Sequence, residues 1–70
     1  MTTFQLSGKP FIELNKLLKA NNLVNSGGEA KMRIREGEAT VNGQPETQVR
    51  KKLRVGDQME FGGVTIVIED

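Results

Sequence analysis

Two groups of cations carry most of the chemistry open to this chain. Lys31 and Arg35 stand four residues apart, so on a helix they share one face and are spaced to meet neighbouring phosphates along a strand. Arg33 flanks that face. The second group is Arg50-Lys51-Lys52 followed by Arg54. One lysine would protect a strand edge from unwanted pairing, whereas three adjacent cations point to phosphate contact, with affinity drawn from counterion release. A third feature is Ser26-Gly27-Gly28, where bare backbone N–H groups at a helix start offer an anion site. Glu29 competes for that position, because its carboxylate would occupy or repel the same place.

The composition excludes several other kinds of chemistry. Histidine and cysteine are both absent, which removes the commonest general base, thiolate and imidazole metal ligands, and disulfides. No pair of carboxylates sits in an apolar run that would shift its pKa. The expectation is a protein that is not an enzyme and uses no metal or cofactor. The opening MTTFQLSGKP lacks a basic leader and a long apolar segment, so membrane insertion and export are not expected and a cytoplasmic location is. Seventy residues suit one domain, which at this size buries only about 60% of its unfolded surface.

The net charge of +1 conceals a division along the chain. Residues 31–54 hold seven cations against three carboxylates, a balance of +4, and the remainder holds three against six, a balance of −3. Such a polarised small protein would be oriented by its own field towards a polyanion.

Local signals set the elements that must hold these cations. Thr2 to Leu6 alternates, with Phe4 and Leu6 on one side, and reads as a short edge strand. A first helix is expected from about Pro10 to Ala20, with Pro10 at its first position and Phe11, Leu14, Leu17 and Leu18 as its apolar stripe. Asn21-Asn22 ends it. Ser26 and Glu29 form a capping box that opens a second helix, and Gly37 stops it by taking a left-handed conformation. Ala30 and Ile34 face the first helix, which leaves Met32 and Glu36 pointing roughly away from the core. Ala39 to Val41 is a strand entering an Asn42-Gly43 turn, and Val55-Gly56-Asp57 turns into a strand at Met59 to Phe61. Gly62-Gly63 closes a hairpin with Val64 to Glu69, in which Val64, Ile66 and Ile68 point inward. The architecture is α+β: two packed helices on a small, mostly antiparallel sheet.

The order of cap, helix, glycine stop, strand and Asn-Gly turn in SGGEAKMRIREGEATVNG resembles the core of the S4 RNA-binding domain. Leu14-Asn15-Lys16-Leu17-Leu18 resembles that family's first helix, and the two helices its αL-type motif. Lys51-Lys52-Leu53-Arg54-Val55-Gly56-Asp57 resembles its closing L-x-P-G-D segment, with Val55 where proline is usual. The likeness spans about Leu14 to Phe61 and suits a short stand-alone bacterial member, residues 1–70 forming one S4-like domain. It implies binding of structured RNA, ribosomal or transfer, by a monomer through Lys31, Arg35, Asn42 and the Arg50–Lys52 cluster, with Arg33 and Arg54 beside them. The chain departs from the family at Glu13 and Gly27, where many members carry arginine, and both changes remove positive charge.

Trp and Tyr are absent, and the patterns around Phe4, Phe11 and Phe61 assign all three to the core. No stacking platform is then expected, and RNA would be read by shape and backbone. The alternative is a protein-interaction module on the same scaffold, for an acidic partner or the ribosome's protein surface, using Met32 and an apolar hairpin edge at Val64 to Ile68.

Overall fold

A computed structural model describes all 70 residues. The chain forms β1 (Thr2–Gln5), β2 (Ile12–Glu13), α1 (Leu14–Ala20), α2 (Gly27–Arg35), β3 (Ala39–Val41), β4 (Gln44–Pro45), β5 (Lys52–Leu53), β6 (Gln58–Phe61) and β7 (Val64–Glu69). Five strands make one sheet in the order β1-β7-β6-β3-β4, parallel only between β1 and β7. A separate two-stranded ribbon pairs β2 with β5. This is the expected α+β arrangement.

Alternation along the strands sends Ala39, Val41, Met59, Phe61, Ile66 and Ile68 to one face, where they are buried. Leu14, Leu17 and Leu18 of α1, Ala30 and Ile34 of α2, and Leu6, Val24 and Leu53 complete a 14-residue core with no buried polar side chain. Thr40, Gln58, Glu60, Thr65 and Val67 lie on the opposite face by the same alternation, and Glu60 and Gln58 there are exposed.

Both helices end as their sequences require. Asn22 takes φ +58°, with its N–H bonded to the Lys19 carbonyl and the Leu23 N–H to the Leu18 carbonyl. Gly37 takes φ +80°, with its N–H bonded to the Ile34 carbonyl and the Glu38 N–H to the Arg33 carbonyl. Each set is a Schellman motif, which satisfies two orphan carbonyls at the helix end. Asn42-Gly43 and Gly62-Gly63 all have positive φ and turn β3 into β4 and β6 into β7. Pro45 sits on the edge strand β4, where a missing N–H does no harm.

Three expectations need correction. The first helix begins at Leu14, not Pro10, because Ile12 and Glu13 are drawn into pairing with Leu53 and Lys52. Phe11 therefore lies outside the helix, half-buried and apart from the core cluster. The strand Val64–Glu69 is not an edge, since β1 covers one side and β6 the other. The sheet edges are β1 and β4.

Candidate nucleic-acid interface

The start of α1 fixes the second cation group. Glu13 occupies the N-cap position with no side-chain cap, so the first helical N–H groups need other acceptors. The Leu14 N–H donates to the Lys51 carbonyl at 2.9 Å, and the Asn15 N–H to the Val49 carbonyl at 3.1 Å. Together with the β2–β5 ribbon, these bonds stitch residues 49–53 to the beginning of α1. Leu53 anchors the segment, being fully buried. Its cations remain outside: Arg50, Lys52 and Arg54 are exposed, and Lys51 is half-buried.

Three contacts aim these side chains. Arg50 Nε donates to Glu13 Oε2 at 3.2 Å, with the arginine side chain still 76% exposed. Glu13 Oε1 also lies 3.6 Å from Lys16 Nζ. Lys52 Nζ stands 5.0 Å from the centroid of the Phe11 ring, and the Arg54 guanidinium 5.9 Å. Both distances are within cation–π range. At the far end, Asp57 accepts from the Arg54 N–H at 2.8 Å through Oδ2, which closes the turn that ends the segment.

On α2, Lys31 and Arg35 are exposed on the face away from buried Ala30 and Ile34. With Gly28, Met32 and Glu36 they line a shallow hollow of about 370 Å³. Met32 is 55% exposed, as its position on the helix requires. Lys31 and Arg35 sit on α2, which packs against α1, and α1 is the helix whose start holds the 49–53 segment.

The remaining expected site residues are held by other duties. Arg33 is half-buried, and its guanidinium pairs with Glu29 at 3.3 Å and with Glu38 at 2.9 Å. Its guanidinium carbon lies 4.5 Å from the centroid of the Phe61 ring. The hydrogen bond to Glu38, above all, raises its pKa further, so the charge is permanent and already answered. Asn42 is a bracket rather than a free amide. Its Nδ2 donates to Asp57 Oδ1, and its Oδ1 accepts from the Gln58 N–H, both at 3.0 Å. Asp57 thus ties the β3–β4 turn to the Arg54 turn.

At the start of α2, the Ser26 hydroxyl accepts from the Glu29 N–H at 3.1 Å. Glu29 Oε1 reaches back to the Asn25 N–H at 2.8 Å, one residue beyond the reciprocal partner that a capping box calls for. A carboxylate therefore attends the positive helix end next to Gly27 and Gly28, which weakens the case for phosphate there. Sequence reading missed Phe11 and Glu13, whose partners lie about forty residues away in β5 and its approach.

Two helices packed on a small, mostly antiparallel mixed sheet define the class as an α+β module. The chain belongs to the S4 domain family, whose model matches residues 4–69. It is 38% identical over 68 residues to YbcJ of Escherichia coli strain K12, named as a candidate RNA-binding protein, covering 97% of each chain. It is 40% identical over 52 residues to RlbA of Bacillus subtilis, named as a candidate ribosome maturation protein, covering 74% of this chain and 73% of that one. The solution structure of YbcJ, described as revealing an αL motif involved in RNA binding, superimposes with a TM-score of 0.75 at 37% identity. That match covers 100% of this chain and 89% of the YbcJ chain.

Proposed function

We propose that this protein is a non-catalytic, single-domain binder of structured RNA, ribosomal or transfer, acting as a cytoplasmic monomer. The contact surface joins Lys31 and Arg35 of α2 to Arg50, Lys51, Lys52 and Arg54. Arg33 and Asn42 support that surface without contributing free polar groups. The observation that carries the reading is the pair of hydrogen bonds from Leu14 and Asn15 to the carbonyls of Lys51 and Val49. They fasten one cation group to the helix pair that bears the other. That connection supports the reading that both stretches present their cations from one frame, as reading the backbone of a folded RNA requires.

The relatives' names support an RNA ligand, and the RlbA name adds a link to ribosome maturation. Arg50 is suited to exchange. Its own side chain is 76% exposed and meets Glu13 through one 3.2 Å contact, and Lys16 also stands 3.6 Å from that carboxylate, so a phosphate can take the place of Glu13 on Arg50. An interaction with protein loses one of its supports, since β7 is enclosed on both sides.

The test is fluorescence anisotropy with a folded transfer RNA and a ribosomal stem-loop over a salt series. Each phosphate contact contributes about 0.7–0.9 to the slope of log K against log[salt]. Replacing Arg50, Lys51 and Lys52 by Glu should make the slope shallower by about 2 or more. An unchanged slope, or no binding to any folded RNA, overturns the proposal.

A further inference from the structure

The larger of the two concavities is lined by no member of either cation group, but two of its lining residues, Phe11 and Glu13, contact the 50–54 segment. It has a volume of about 410 Å³ and is formed where the chain passes from β1 through the Ser7–Pro10 turn into β2 and α1. Phe4, Phe11 and Ile12 are among its apolar walls, and Lys9, Lys16 and Glu13 line it too. That volume falls within the range of sites for small organic groups, which starts at about 300 Å³.

Phe11 distinguishes this cleft from a chance surface dent. Buried aromatic rings in small domains belong to the core, but Phe11 is neither a core residue nor among the half-buried residues packed on the core. The same ring that lines the cleft carries Lys52 and Arg54 at 5.0 and 5.9 Å. Glu13 makes a second link, since it lines the cleft while pairing with Arg50. The cleft is therefore the continuation of the basic segment.

Its chemistry sorts a nucleotide into two ends. The aromatic and aliphatic walls favour a flat, uncharged ring, and the acidic residue in the lining, Glu13, offers a phosphate no support inside. Lys9 and Lys16 are exposed at the rim, where a phosphate would lie. A free nucleotide would need a further phosphate cradle. The adjacent glycine offers none, because the Gly8 N–H already donates to Asp70 Oδ1 at 3.2 Å.

We propose that this cleft receives one unpaired base of the bound RNA, stacked against Phe11 and Phe4, with its phosphate held by Lys9 and Lys16. This rests on the RNA-binding reading and adds a preference that the backbone surface alone would not create. The protein would select folded RNA with a bulged or extruded base beside a paired stem.

Three probes test it: a stem-loop RNA with a single bulged 2-aminopurine, the same stem fully paired, and adenosine monophosphate. The chain has no Trp or Tyr, so 2-aminopurine emission is read without interference. The bulged RNA should bind about 5- to 150-fold tighter than the paired stem, the range for stacking one base on an aromatic side chain. Its emission should be quenched on binding, and the Phe11 ring resonances of the wild-type chain should shift. Phe11→Leu should bring the ratio of the two affinities towards one, whereas Phe11→Tyr should keep it. Far-UV circular dichroism melts check that both variants fold, and the ring shifts need no variant. Equal affinities with no Phe11 shift would overturn the pocket while leaving the RNA-binding reading intact. Binding of neither RNA would overturn both. Adenosine monophosphate binding as tightly as the bulged RNA would make this a free-nucleotide site and overturn the assignment to RNA.

Discussion

Asn42 offers the sharpest test of how the interface is supported, because its backbone and its side chain do separable work. The backbone holds φ +51°, in the left-handed region, and the amide bonds to both Asp57 Oδ1 and the Gln58 N–H. Asn42→Gly keeps the conformation and removes only the amide. Both hydrogen bonds are exposed, so each belongs at the low end of the usual range, about 0.5 kcal/mol, or about 1 kcal/mol together. Asn42→Ala removes the same bonds and keeps a β-carbon in the left-handed region without the short polar side chain that lets asparagine tolerate it, a further cost of about 1 kcal/mol. For a domain of this size 1 kcal/mol shifts Tm by about 4–8 °C. The glycine variant should therefore melt about 4–8 °C below wild type and the alanine variant about 8–16 °C below. Far-UV circular dichroism is the appropriate assay, as there is no Trp or Tyr to follow by fluorescence. If both variants melted within about 2 °C of wild type, the bracket would not hold the turn. If Asn42→Gly left Tm unchanged but weakened RNA binding, Asn42 would be a contact residue and its structural assignment would be wrong.

Two further predictions concern the frame. Gly37→Ala meets open space, so its effect is the backbone strain of φ +80° alone, about 1 kcal/mol, seen as a Tm lower by about 4–8 °C. Leu53→Ala opens a cavity beneath the cationic segment and should destabilise by about 2–5 kcal/mol in urea unfolding with an unchanged m-value. A loss under about 1 kcal/mol would mean that Leu53 does not anchor the segment.

Local grammar was largely legible in the sequence. Ser26, Gly37, Gly62-Gly63 and the backbone of the Asn42-Gly43 turn act locally and sit where their chemistry predicts, whereas the Asn42 amide, bonded to Asp57 and Gln58, acts across the sequence. The helix register was legible for the same reason, with Ala30 and Ile34 inward and Met32 outward. What escaped depends on partners far along the chain. Pro10 looks like a helix start until Ile12 and Glu13 meet Leu53 and Lys52, which no local pattern announces. Phe11 then leaves the helical stripe and becomes a surface ring beneath two cations. Val64–Glu69 looks like an edge until β1 returns in parallel from the other end of the chain. Arg33 is half legible. Its pair with Glu29 follows from the i, i+4 spacing, but its contact with the Phe61 ring does not.

The central claim is that two cation groups, joined by the start of α1, make one surface for structured RNA. Amide chemical-shift mapping of the labelled protein during titration with a folded transfer RNA or ribosomal stem-loop tests it most directly. The expected result is that the largest shifts fall on Lys31, Arg35 and residues 50–54 together, and fade together as salt is raised. Shifts centred on Thr40, Gln58, Glu60 and Thr65 of the opposite sheet face, or confined to one cation group, would contradict it.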